Sequence, residues 1–336
     1  MRAYLSLYWQ VGIAAVIGLF LCNIFFGSVS IPAAAVMDIL FGRDAERTAW
    51  TAIILQSRLP QALTALLAGA ALAVSGLLLQ TLFRNPLAGP DILGVSNGAN
   101  LGVAIVMLYA GAWAPTGFSV VAAALAGAMT VLGVILYFSS KLKSNILLLI
   151  IGMMTGYLAS SVISLLNALA ASDSIRSYVL WGLGSFSSVS MAQMPVFAGV
   201  VVAGLIAALI LVKPLNILLL GEYYASGLGV NIKRLRLVIL LIVGLLTAMV
   251  TACCGPVSFI GLAVPHIARL LIGTANQQRL LPATLLMGAI VALLCNALTT
   301  AFGRNIVPLN AITPLLGAPV IIYIIARKRI NRTLAH

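Results

Sequence analysis

Few residues in this chain could carry covalent or ionic chemistry. It has six acids (Asp38, Asp44, Glu46, Asp91, Asp173 and Glu222) and two histidines, His266 and His336. They form no Ser/His/Asp set, no paired carboxylates and no HExxH, so catalysis has no reactive cluster to use. The cysteines Cys22, Cys253, Cys254 and Cys295 lie in or beside apolar runs without metal-ligand spacing, and no disulfide framework or resident cofactor is expected. GxxxxGK[ST] is absent, so the chain does not hydrolyse nucleotide itself. Ion-coupled carriers place a carboxylate or histidine inside the membrane to carry the coupling charge. Here the acids fall outside the centres of the apolar segments. The deepest candidate is His266, between Pro265 and Arg269, where a hydrogen-bonded structural role is favoured over a proton relay. This poverty of chemistry points to an external motor.

The elements that must position these residues are membrane spans. Of 336 residues, 62% are hydrophobic and 7% charged, against about 25% charged in soluble domains. We therefore expect an all-α integral membrane protein with a single polytopic domain over residues 1–336. Ten apolar runs predict transmembrane helices at 9–27, 59–83, 91–110, 117–138, 146–170, 195–212, 236–255, 257–272, 281–302 and 312–326. The net charge of +13 would suit nucleic acid, but the cations cluster between apolar runs without interleaved aromatics, so no nucleic-acid partner is expected. With the N-terminus inside, fourteen of the nineteen cations fall on inner segments, and Arg43, Arg47, Arg58, Arg176 and Arg304 fall outside. That bias orients the protein with both termini cytoplasmic. The first helix reads as uncleaved.

Three connecting segments are long. On the outer side, PAAAVMDILFG after Ser30 predicts a short interfacial helix, and Ile175–Leu183 predicts another. Tyr178, Trp181 and Phe186 there suit the headgroup level. On the inner side, 213–236 reads KPLNILLLGEYYASGLGVNIKRLR, with basic ends and Glu222 in its middle. A loop of this length is usually functional, and a short amphipathic helix ending near Ser226-Gly227 fits a docking surface for a cytoplasmic partner.

The chain is organised around Arg58–Gly102. The run 59–83 meets a break, Arg84-Asn85-Pro86-Leu87-Ala88-Gly89-Pro90, that cannot continue a helix, and a second run follows. Gly94, Gly98 and Gly102 recur every four residues, as do Ala65, Gly69 and Ala73, which suits close helix packing. A similar hairpin opens at Arg234-Leu235 and reaches Ile260-Gly261 after a Pro-containing break. An inverted repeat of spans 2–5 and 7–10 would follow that pattern.

RLP, then AxSGxxxQ, then RNPLAxPxxLGxSxGAxxG closely resembles the FecCD transport family, the membrane-spanning subunits of bacterial ABC importers for iron–siderophores, haem and cobalamin. GPVSFIGLAVPHIARLLIG from Gly255, RLLPATLLMGA from Arg279 and ITPLLGAPVIIYII from Ile312 extend the match across most of the chain. The resemblance implies a type II ABC importer permease fold in the bacterial inner membrane. It also implies a second permease subunit, two cytoplasmic ATPase subunits and a periplasmic or lipid-anchored substrate-binding protein. On this mapping Glu222, Ala225, Ser226, Leu228, Gly229 and Val230 belong to the loop that seats in the ATPase. Asn85, Leu87, Ser144 and Asn145 close the cytoplasmic end of the pathway. Gly152, Gly156, Ser160 and Ser164 form a small, weakly polar stripe that suits either a wide lumen or helix packing. Arg58 matches an outer arginine that docks the binding protein. The family's RLPR is RLPQ here, so Gln61 replaces a second cation. Asn296 replaces an acid, and Arg304 stands near the position of a third docking cation. An ion-coupled secondary transporter is the alternative to an ATP-driven importer, and uptake under an uncoupler with ATP maintained separates the two.

Overall fold

The computed structural model describes residues 2–43, 47–109, 117–142, 144–301 and 307–333, and within them every predicted span is helical. The long spans are α1 (Arg2–Phe25), α4 (Leu59–Phe83), α6 (Gly117–Lys141), α7 (Asn145–Leu169), α12 (Ile232–Cys254) and α14 (Gln277–Ala301). A seventh crossing is bent: α9 (Met194–Ile210) turns by 51° into the short α10 (Val212–Leu218). The outer helices α2 (Ala33–Leu40), α3 (Thr48–Ala52) and α8 (Ser172–Gly182) lie where short interfacial helices were expected or beside them. On the inner side a further short helix, α11 (Glu222–Gly227), follows α10.

Three apolar helices are shorter than a bilayer core: α5 (Val95–Tyr109), α13 (Ile260–Ile272) and the apolar part of α15 (Leu309–Thr333). At 1.5 Å per residue, α5 reaches about 22 Å of a core about 30 Å thick. An irregular segment completes its crossing. Gly94 (φ 72°) follows a tight turn at Pro90–Leu93, and the φ of 68° at Phe259 precedes α13. Such backbone is tolerated at depth only inside protein, and Gly89, Pro90 and Leu93 are buried.

The core is α4 and α12, buried on most sides, whereas α1 and α7 leave most of their surface open. Backbone contact explains the small residues. A Cβ on Gly76 would fall 1.7 Å from the Gly261 carbonyl oxygen, and one on Gly69 would fall 2.3 Å from the Gly288 carbonyl. Gly98 and Gly102 meet Gly127 and Ala123 of α6 in the same way, but Gly94 leaves that face and lies against Gly152 and Gly156 of α7. Phe186, expected at the headgroup level, is instead buried in the core, because the turn after Gly184 (φ 71°) sends it inward. Tyr178 and Trp181 stack, ring centroids 6.4 Å apart.

Candidate functional site

The inner segment forms the most elaborate polar structure at that end of the bundle. It is anchored at three points. Asn216 of α10 accepts from the backbone N–H of Gln277 (2.8 Å), so it caps the start of α14. Arg84, in the left-handed conformation that ends α4, donates to the carbonyls of Leu218 (3.4 Å) and Leu219 (3.3 Å). Glu222, the first residue of α11, accepts from Asn145 Nδ2 at 2.6 Å and lies 3.6 Å from Arg236 Nη2. The Arg236 side chain is 5% exposed and also donates to the Leu142 carbonyl at 3.0 Å.

Helix α11 ends in a Schellman motif. Val230 N–H donates to the Ala225 carbonyl and Gly229 N–H to the Ser226 carbonyl, both at 3.0 Å. Gly229 takes φ 86°, the left-handed geometry the motif requires. This explains the Leu228-Gly229-Val230 string without any partner. Of the expected docking residues, Ser226, Leu228 and Gly229 are exposed and Glu222 and Val230 half-buried. Ala225 is fully buried, the position of α11 turned toward the bundle. The sequence reading missed Leu220, Tyr223 and Tyr224, which with Leu228 make an exposed apolar patch. Tyr223 is 89% exposed. A pair of tyrosines directly after the one acid of an inner loop was the available signal.

The expected gate residues sit in two turns at the inner ends of α4 and α7. Asn145 Nδ2 also donates to the Leu82 carbonyl (3.3 Å), which seats the start of α7 on the end of α4. Ser144 caps α7 by accepting from Leu147 N–H at 3.4 Å. Asn85 accepts from Leu87 N–H (2.9 Å), which fixes the turn and leaves Leu87 exposed. His266 Nε2 donates to the Pro86 carbonyl at 2.7 Å, the structural role its setting favoured.

The stripe on α7 splits. Gly152 and Gly156 are buried against Ile92–Gly94 and Asn97, so they pack and do not line a lumen, whereas Ser160 and Ser164 are exposed. Four residues advance a helix by about 400°, so a four-residue stripe drifts about 40° per step and leaves its first face within three steps.

The outer arginines are differently used from expectation. Arg58 is 6% exposed, and its guanidinium donates to the carbonyls of Ile24 (2.9 Å), Phe25 (3.0 Å) and Val29. It caps the open carbonyls at the end of α1, a structural role beside the docking role expected of it. Arg43 pairs with Asp38 at 3.3 Å, and Arg47 lies over the Trp50 ring. Arg304 lies outside the described residues. Gln61 Nε2 donates to Asn296 Oδ1 (2.9 Å), and Asn296 Nδ2 donates to Asn23 Oδ1 (2.8 Å). The two departures from the resembled pattern therefore contact each other. They border an outer cavity of about 490 Å³ that Ser185, Ser187 and Thr300 also line.

Comparison with known proteins agrees across the chain. The profile of the FecCD transport family matches residues 15–327. The vitamin B12 import system permease protein BtuC of Yersinia enterocolitica is 37% identical over 278 residues, covering 81% of each chain. The molybdate import system permease protein MolB of Haemophilus influenzae is 35% identical over 291 residues, covering 83% of each. A solved structure described as an inward-facing conformation of a metal-chelate type ABC transporter superposes with a TM-score of 0.82 at 29% identity, over 95% of this chain and 99% of that one.

Proposed function

This chain belongs to the FecCD transport family of multi-pass ABC importer permeases, and from that membership we propose that it is the membrane half of an ATP-driven importer for a metal chelate (iron–siderophore or haem) or cobalamin. A pair of such chains surrounds the pathway in the bacterial inner membrane. Two separate ATPase subunits bind the inner segment, and a substrate-binding protein docks on the outer face. The observation that carries this reading is the exposed patch of Leu220, Tyr223, Tyr224 and Leu228 on a helix anchored to α4, α7, α12 and α14. An exposed apolar patch on a rigid mount suits a partner that must push as well as bind. Ser160 and Ser164 face the pathway, and Asn85, Leu87, Ser144 and Asn145 close its inner end. The cargo class draws on relatives named for vitamin B12 import and metal-chelate transport.

Two halves of the domain also form an inverted repeat. In support, packing partners exchange in register: α4 packs on α14 as α12 packs on α6, and α5 on α6 as α13 on α14. Likewise α5 packs on α7 as α13 packs on α15, and both α5 and α13 follow a left-handed residue.

Purification from native membranes tests the function. An ATPase subunit should co-purify, and replacing Tyr223 and Tyr224 with aspartate should release it while the permease still inserts. Retention of the ATPase by that variant, or transport that persists without ATP, would refute the reading.

A further inference from the structure

We propose that the Asn145–Glu222 hydrogen bond is the link through which motion of the inner segment reaches the gate, with Arg236 as the residue that holds Glu222 in position. The inference rests on the function proposed above and specifies how its docking loop acts on the pathway. Glu222 is the first residue of α11 and therefore moves with the docking patch. Asn145 is the first residue of α7 and moves with that helix, which Ser144 caps. One atom, Glu222 Oε1, receives both the Asn145 amide at 2.6 Å and the nearer Arg236 nitrogen at 3.6 Å. The Asn145 amide also donates to the Leu82 carbonyl, one turn before the Asn85–Leu87 turn. A displacement of α11 is thus passed to α7 through the Glu222 side chain.

Arg236 supplies the fixed end. Its guanidinium is buried at the base of α12 and grips the Leu142 carbonyl in the linker between α6 and α7. Its contact with Glu222 is an ion pair at 3.6 Å between a buried guanidinium and a partly exposed carboxylate. Among the described residues, the hydrogen bonds from Asn216 to Gln277 and from Arg84 to Leu218 and Leu219 join the inner segment to α14 and α4. The connection from α11 to α7 runs through Glu222.

The test uses the permease with its ATPase and binding-protein partners in lipid nanodiscs, with Leu87→Cys as a reporter labelled by a membrane-impermeant maleimide. In the parent protein, nucleotide binding should change the labelling rate. Asn145→Ala should shrink that change by about fivefold or more while the ATPase still co-purifies. Asn145→Asp, which sets two carboxylates together, should do the same. Adding Glu222→Gln to Asn145→Asp should restore the response, because the amide introduced at position 222 donates to the carboxylate introduced at position 145, the reverse of the native bond. A full response in both Asn145 single variants would overturn the link, as would a failure of the pair to rescue. If the parent protein binds no ATPase, the proposed function falls first; an assembled complex with an unaltered gate response sinks only this inference.

Discussion

The Arg58 guanidinium satisfies carbonyls of Ile24, Phe25 and Val29 where α1 ends, so truncating it strands buried acceptors. Arg58→Ala should therefore lower stability by about 2–3 kcal/mol, read as a drop in melting temperature in detergent. The salt dependence of binding-protein docking should stay unchanged; a flattened salt slope at constant stability would return Arg58 to the docking face. Gln61 and Asn296 make the complementary case. The family pattern puts a cation and an acid where this chain has an amide pair, and the amides touch at 2.9 Å. Gln61→Arg alone should reduce folded yield, since it sets a cation against the buried, neutral Asn296 amide. Gln61→Arg with Asn296→Asp should recover it, and additive losses would show that the two sites act independently. At Gly229 the left-handed backbone costs a branched residue about 1–2 kcal/mol. Gly229→Asn should retain most ATP-driven uptake, whereas Gly229→Val should lose it with insertion intact.

At the level of elements, the helices were legible because a bilayer core demands about 20 apolar residues in a row, a signal no single residue can hide. Their contacts were less so. Gly94, Gly98 and Gly102 share a spacing, yet the left-handed turn at Gly94 assigns the first to α7 and the others to α6. Glu222 needed a cation, and Lys233, Arg234 and Arg236 all stood near. Each step along α12 turns the side chain by about 100°, and only Arg236 of the three is buried. The helix start had to be known before that phase could be read. The close crossing of α4 and α13 is sharply testable. Gly76→Leu should abolish a monodisperse peak in size-exclusion chromatography, because the Gly261 backbone cannot yield. Gly18→Leu, with nothing within 4 Å, should elute as the parent does. Equal behaviour of the two would contradict the packing described.

The whole molecule is a bundle whose polar resources are spent at its two ends. At the outer end they make a neutral chain, Asn23–Asn296–Gln61, beside an open cavity. At the inner end they make a charged node that ties an exposed aromatic patch to the start of α7. The described residues hold no cluster of metal-ligating side chains. The decisive measurement is uptake into proteoliposomes, with a ferric siderophore, haem and cobalamin each offered as cargo. With its ATPase and binding protein present, ATP should drive accumulation of at least one of them. The permease alone, under a proton or sodium gradient, should accumulate none; gradient-driven accumulation by the lone chain would contradict the account.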